Sequence, residues 1–208
     1  MEDVLEVYTR PYDPQRPQVC LGETSRQLLA QVTLPLPVAP GQPAREDYED
    51  GRRGVCNLFL VCEPLRGWRG VMVSARRTRI GWAHCVKDLV DVHDPDAEVI
   101  VLMQDNLNTH TPAPLYEAFP PVEARRLAGR LEIHYTPKHG SWLNMAEIEL
   151  SVLAEQCLDR RLADQARLER EVVAWQAARN AAGRGVDWRF TTADARIKLK
   201  HLYPVIQG

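Results

Sequence analysis

The sequence predicts an α/β domain built on a mixed β-sheet with helices on its faces. Three observations carry that prediction. Apolar runs of strand length come first and then alternate with helical periods, the order a mixed sheet requires. Glu98–Met103 (EVIVLM) is apolar without alternation, the pattern of a central strand covered on both sides. From Trp142 onward, Leu143, Ala146, Leu150, Leu153 and Cys157 recur at steps of three and four, an apolar seam along one helical face.

Taken in order, residues 2–9 predict a short helix, and Pro11, Pro14 and Pro17 an extended lead-in. Residues 1–16 are therefore set apart from a domain spanning 17–208. Gln18–Leu21 and Gln27–Val32 predict two short strands. Residues 33–47 carry four prolines and Gly41 and predict a loop, long enough to suggest a role beyond connection. Asn57–Cys62 and Gly70–Ser74 predict further strands, and Trp82–Val92 has helical apolar spacing. The EVIVLM strand ends at Gln104-Asp105-Asn106. Leu115–Leu127 predicts a helix interrupted at Pro120-Pro121, and Leu131–Tyr135 a strand. A helix over 142–158, a second over Asp164–Ala182 and a third over Asp194–Leu202 complete the chain. A ribonuclease-H-like layout fits this order, as do other α/β folds.

Composition narrows the function. The 208 residues are 45% hydrophobic and 26% charged, enough to bury a sizeable core and too apolar for general disorder. No apolar run approaches the roughly 20 residues of a membrane helix, and the acidic start MEDVLEVYTR does not read as a secretory signal. The net charge of −2, from 26 basic and 28 acidic residues, excludes a protein that binds nucleic acid by bulk charge. It leaves room for a local basic groove around an acidic centre. The five cysteines (Cys20, Cys56, Cys62, Cys85, Cys157) form no CxxC and predict buried, reduced thiols in a cytoplasmic protein.

Three features carry chemistry. Asp105 ends the apolar central strand, where functional groups of open α/β sheets gather; an Asp-Asn turn is the competing explanation. Glu147 and Glu149 flank the apolar seam about 80° to either side, so helical geometry does not choose which of them meets Asp105. The segment His134–Asn144 (HYTPKHGSWLN) places Lys138, Ser141 and backbone N–H groups ahead of a helix start. That arrangement suits phosphate contacts, or equally a tight loop with Ser141 as the helix cap.

The blocks MQDNLNTH (103–110) and HYTPKHGSWLNMAEIE (134–149) resemble the two signatures of DDE transposases, most closely the bacterial insertion-sequence branch related to mariner elements. The likeness extends to WRFTTADARIKL (188–199). It implies a ribonuclease-H-like core for DNA cleavage and strand transfer by two-metal phosphoryl transfer. Asp105 and Glu147, in preference to Glu149, are then catalytic metal ligands for Mg²⁺ or Mn²⁺. Asn106, His110, Lys138, His139, Ser141 and Trp142 are the implied DNA contacts. The implied partners are element ends and target DNA, and a second copy or a full-length transposase. The implied location is the bacterial nucleoid.

Two departures qualify the likeness. The family's first aspartate falls on Gly22, in Val19-Cys20-Leu21-Gly22-Glu23. Glu23 remains, but strand alternation points it to the opposite face, and only a one-residue slip brings it in. No helix-turn-helix segment precedes residue 17, so a catalytic core without a sequence reader is expected. The expectation is a transposase core impaired at Gly22. The alternative is a non-enzymatic DNA-binding or dimerising relic or regulator.

Overall fold

The computed structural model describes residues 1–31, 50–138 and 140–202. Its five strands form one sheet in the order β3-β2-β1-β4-β5. Strands β1 (Gln18–Gln31), β2 (Asp50–Glu63) and β3 (Trp68–Ser74) are antiparallel neighbours, while β4 (Ile100–Gln104) and β5 (Leu131–Tyr135) add parallel to β1. Helices α1 (Glu2–Tyr8), α2 (Arg79–Asp88), α3 (Ala113–Ala118), α4 (Pro121–Ala128), α5 (Met145–Leu153), α6 (Gln165–Ala182) and α7 (Thr192–Lys198) pack around it. The mixed, ribonuclease-H-like sheet is the expected fold.

Alternation along the strands divides the core into two. Cys20, Leu58, Leu60, Val101 and Met103 face α1, α5, α6 and α7, with Val4, Leu5, Ala146, Leu150 and Leu168. Val19, Leu21, Phe59, Ile100 and Leu102 face α2, α3 and α4, with Trp82, Val86, Leu115 and Leu127. Every residue of β4 is buried, as its unbroken apolar run requires. The lead-in helix α1 contributes Val4, Leu5, Val7 and Tyr8 to the first of these cores. All five cysteines are buried free thiols, and among the described residues no helix is long and apolar enough to cross a membrane.

Several boundaries differ from the sequence expectation. The two short strands at 18–21 and 27–32 are one strand over its described length, Gln18–Gln31. The polar stretch between them is paired throughout, Glu23 with Phe59, Thr24 with Leu58, Ser25 with Asn57 and Arg26 with Cys56. Cross-strand pairing outweighs weak intrinsic preference here, and the register shifts only between Gln27 and Leu29. The helix expected over 142–158 begins at Met145, because Asn144 is extended (φ −85°, ψ 112°) and caps it; Ser141–Leu143 is a separate 3₁₀ turn, and a π-type turn over Ala154–Leu158 completes the run. Pro120 and Pro121 split the expected 115–127 helix into α3 and α4. The proline-rich loop expected at 33–47 lies outside the described residues.

Candidate active site

The carboxyl ends of β4 and β5 lie on one edge of the sheet, because the two strands are parallel and in register from Ile100↔Leu131 to Gln104↔Tyr135. The segments leaving them therefore emerge side by side, where α/β sheets collect functional groups. Gln104, the last residue of β4, is fully buried on the α2 side. Its Oε1 accepts from Trp82 Nε1 at 2.9 Å and its Nε2 donates to the His110 carbonyl at 2.8 Å. Tyr135 Oη donates to the same carbonyl at 3.0 Å. These bonds fix the short segment 105–110 against the sheet.

Helix α5 is docked beside β1 by its own cap. Asn144 Oδ1 accepts from Ala146 N at 3.1 Å, and its Nδ2 donates to the Leu21 carbonyl at 2.7 Å. This clamp brings Glu147 against Gly22. A Cβ placed on Gly22 would stand 3.5 Å from Glu147 Oε1, 2.9 Å from Leu150 Cδ1 and 3.0 Å from Ala146 Cβ. Burial, with the charge of Asp105 added, raises the Glu147 carboxyl above its ordinary range. Gly22, Asp105 and Glu147 thus share one neighbourhood.

Glu149 is engaged elsewhere. Its side chain is 6% exposed and accepts from Arg69 Nη2 at 3.0 Å and Arg179 Nη2 at 2.9 Å, with Arg69 itself 3% exposed. The two glutamates that helical geometry left equivalent are separated by these arginines.

Glu23 points to the α2 side, in unbroken register opposite Phe59, so the slip that would bring it beside Glu147 does not occur. It is 2% exposed. Its Oε1 accepts from Asn57 Nδ2 at 2.7 Å, and its Oε2 lies 3.2 Å from both Arg77 Nε and His110 Nε2. The other ring nitrogen of His110, Nδ1, is in close contact with Asp105 Oδ1. Burial of His110 works against its protonation, but Asp105 and Glu23 outweigh it and raise the imidazole above its ordinary value. His110 is fully buried. It is therefore enclosed between Glu23 and Asp105 rather than exposed at the edge.

Asn106, Lys138, Ser141 and Trp142 are exposed around this edge. Trp142 packs edge-on against Phe190 at 5.8 Å. Ser141 is not the helix cap, that role belonging to Asn144, and His139 lies outside the described residues. Sequence reasoning missed Gln104, Trp82, Asn57 and Arg77. A polar Gln closing a fully apolar central strand was a legible sign of the first; the others are distant in sequence and meet only through the fold.

The oxygen donors Asp105 and Glu147 suit one hard divalent cation, which binds through one or two carboxylates and keeps several waters. Leu150 and Ala146 crowd the space in front of Gly22. Among the described residues, no three His, Cys, Asp or Glu side chains converge on a point that could hold a metal ion.

A solved structure titled as the Mos1 strand transfer complex superposes with a TM-score of 0.56 at 15% identity, covering 85% of this chain and 51% of that one. The Mos1 mariner paired end complex with Mn gives 0.55 at 16%, covering 85% and 52%. A pre-cleavage Mos1 transpososome gives 0.54 at 15%, covering 85% and 53%. This chain spans about half the length of those it matches, and at these identities the likeness concerns the fold. No curated protein sequence matches. The family model of the DDE superfamily endonucleases matches residues 18–169. A ribonuclease-H-like sheet, with that match covering most of its length, makes this chain a member of the DDE endonuclease superfamily.

Proposed function

We propose that this chain is a transposase catalytic core that binds DNA along the Asp105–Glu147 edge and cleaves it slowly. The observation that carries the reading is the approach of Glu147 Oε1 to within 3.5 Å of the Cβ position at Gly22, with the charge of Asp105 felt at Glu147. Asp105 and Glu147 are assigned as ligands for Mg²⁺ or Mn²⁺, and Gly22 as the vacated position of the first aspartate. Two-metal phosphoryl transfer needs charge stabilisation at both the attacking and the leaving oxygen. With one cation site the chain supplies half of that, so the loss falls on the chemical step.

DNA is held by its phosphates. Lys138 supplies a cation, Ser141 a hydroxyl donor and Asn106 an amide, all exposed at the same edge. Trp142 offers an aromatic face beside them, and His139 is assigned with them from the sequence alone. Element ends and target DNA are the proposed partners, with a second copy or a full-length transposase completing the assembly.

A non-enzymatic role as a DNA-binding or dimerising regulator is favoured by one observation, the hydrocarbon at the third carboxylate position. A nicking assay on supercoiled plasmid, run beside binding to labelled duplex across a salt series, tests the choice. Binding is expected to fall steeply with salt and show little sequence preference, with slow, Mn²⁺-dependent nicking that Glu147→Ala removes. No nicking at any enzyme concentration, with binding intact, selects the regulator. Tight binding to one sequence in the isolated chain contradicts phosphate-only contact.

A further inference from the structure

We propose that Glu23 and His110 are positioning residues for Asp105, forming a buried carboxylate–imidazole–carboxylate relay that takes up Asp105 Oδ1 and leaves Oδ2 for a cation. The inference rests on the assignment of Asp105 as a metal ligand.

The relay crosses the sheet. Gly22 and Asp105 belong to the α5 side, whereas Glu23 emerges on the α2 side, and His110 spans the edge between them. Each of its ring nitrogens faces a carboxylate, Nε2 at 3.2 Å from Glu23 Oε2 and Nδ1 in close contact with Asp105 Oδ1. His110 itself cannot swing. Its carbonyl is held by Gln104 and Tyr135, and its ring lies over Trp82 with centroids 6.2 Å apart and planes 21° from parallel. Glu23 is anchored from behind by Asn57 and Arg77.

Burying a carboxylate beside an imidazole is costly unless both are well paired, and packed hydrocarbon of the same volume would serve a merely structural purpose at least as well. What hydrocarbon cannot do is orient a partly exposed carboxylate. Asp105 is 28% exposed and follows the last paired residue of β4, so the sheet alone does not fix its side-chain torsions. Partners that hold a ligating carboxylate from behind set its orientation, and removing them costs about 10–100-fold in metal affinity. Here the same logic runs one residue further out. The imidazole orients the ligand, and Glu23 orients the imidazole.

The test measures Mn²⁺ affinity of the full chain from the free-ion electron paramagnetic resonance signal, with thermal melting alongside. Asp105→Asn is expected to abolish measurable binding. Glu23→Gln, which keeps the shape and the Asn57 contact, and His110→Phe, which keeps the ring against Trp82, are each expected to weaken binding by about 10–100-fold. Nitrogen NMR on the unmodified chain adds a readout that a structural role would not move: Mg²⁺ should shift His110 Nδ1, and the shift should vanish in Asp105→Asn. If His110→Phe does not fold, Glu23→Gln and the NMR response decide. Unchanged affinity in Glu23→Gln with no Mg²⁺ response at His110 overturns the relay while Asp105 stands as a ligand. Unchanged affinity in Asp105→Asn, or no Mn²⁺ uptake by the unmodified chain, overturns the ligand assignment and the relay with it.

Discussion

Gly22 is a small residue in a crowded place. Its lack of a Cβ lets Leu150 Cδ1 and Ala146 Cβ approach β1 to distances that no side chain there would tolerate unmoved. Placing a carboxylate there therefore has two opposed effects. Gly22→Asp is expected to destabilise the fold by about 1–3 kcal/mol, the usual range for overpacking, since the Leu150 tip can swing aside but Ala146 is held by its helix. The same change should raise Mn²⁺-dependent nicking by roughly 10²-fold or more, because charge stabilisation dominates phosphoryl transfer, and Glu147→Ala should then remove the gain. Denaturant melts and plasmid nicking on the three proteins check both. A Gly22→Asp variant that folds well and gains no cleavage would contradict the assignment of Gly22 as the vacated position.

Within one helix, two glutamates two residues apart stand in opposite surroundings. On α5, Glu149 closes a buried network with Arg69 and Arg179 that ties the helix to β3 and α6. Removing one member of such a group strands a buried charge at a cost of about 3–5 kcal/mol. Glu149→Leu should therefore lower the unfolding free energy by that order. Glu147→Gln should leave it unchanged or raise it, since burial and Asp105 already disfavour that carboxylate. Urea titrations of the two variants make the comparison, and equal losses would break the distinction. The sequence made β4, α5 and β5 legible because their apolar periods are long and clean. It did not show that Asn144, sitting inside the 142–158 period, ends one turn and caps the next, because capping depends on the backbone angle at one residue. Nor did it show that Ser25, inside the polar stretch of β1, pairs with Asn57, because its partner is 32 residues away. Asp105, Glu147 and Gly22 came from motif likeness; Gln104, Asn57 and Arg77 are defined by contacts that no local pattern encodes.

At the scale of the whole molecule, stability carries a pH signature from a site remote from the chemistry. Glu63 closes β2 with its side chain 2% exposed; burial, then the neighbouring Asp94, push its carboxyl up to about 7, and Arg66 only partly offsets them. A carboxyl that is more basic folded than unfolded binds more protons in the native state. Stability from this group is thus fully present below about pH 4.5 and is lost as pH rises towards 7. Glu63→Gln should flatten that slope and gain about 2–3 kcal/mol at pH 8, relative to the unmodified chain. Melting curves at pH 5 and pH 8 check it, and a variant with the same pH dependence as the parent would assign the slope elsewhere. The core has a consequence of a different kind. The family match covers residues 18–169, yet Tyr8 of α1 donates to the Leu143 carbonyl at 2.8 Å, and Val4, Leu5, Trp175 and Ala195 share one apolar interior with the strands. The span matched by the family and the unit that packs together therefore have different bounds. A fragment trimmed to the matched span would keep every assigned ligand and lose the walls that hold them, so the helices outside it are what keep the site standing.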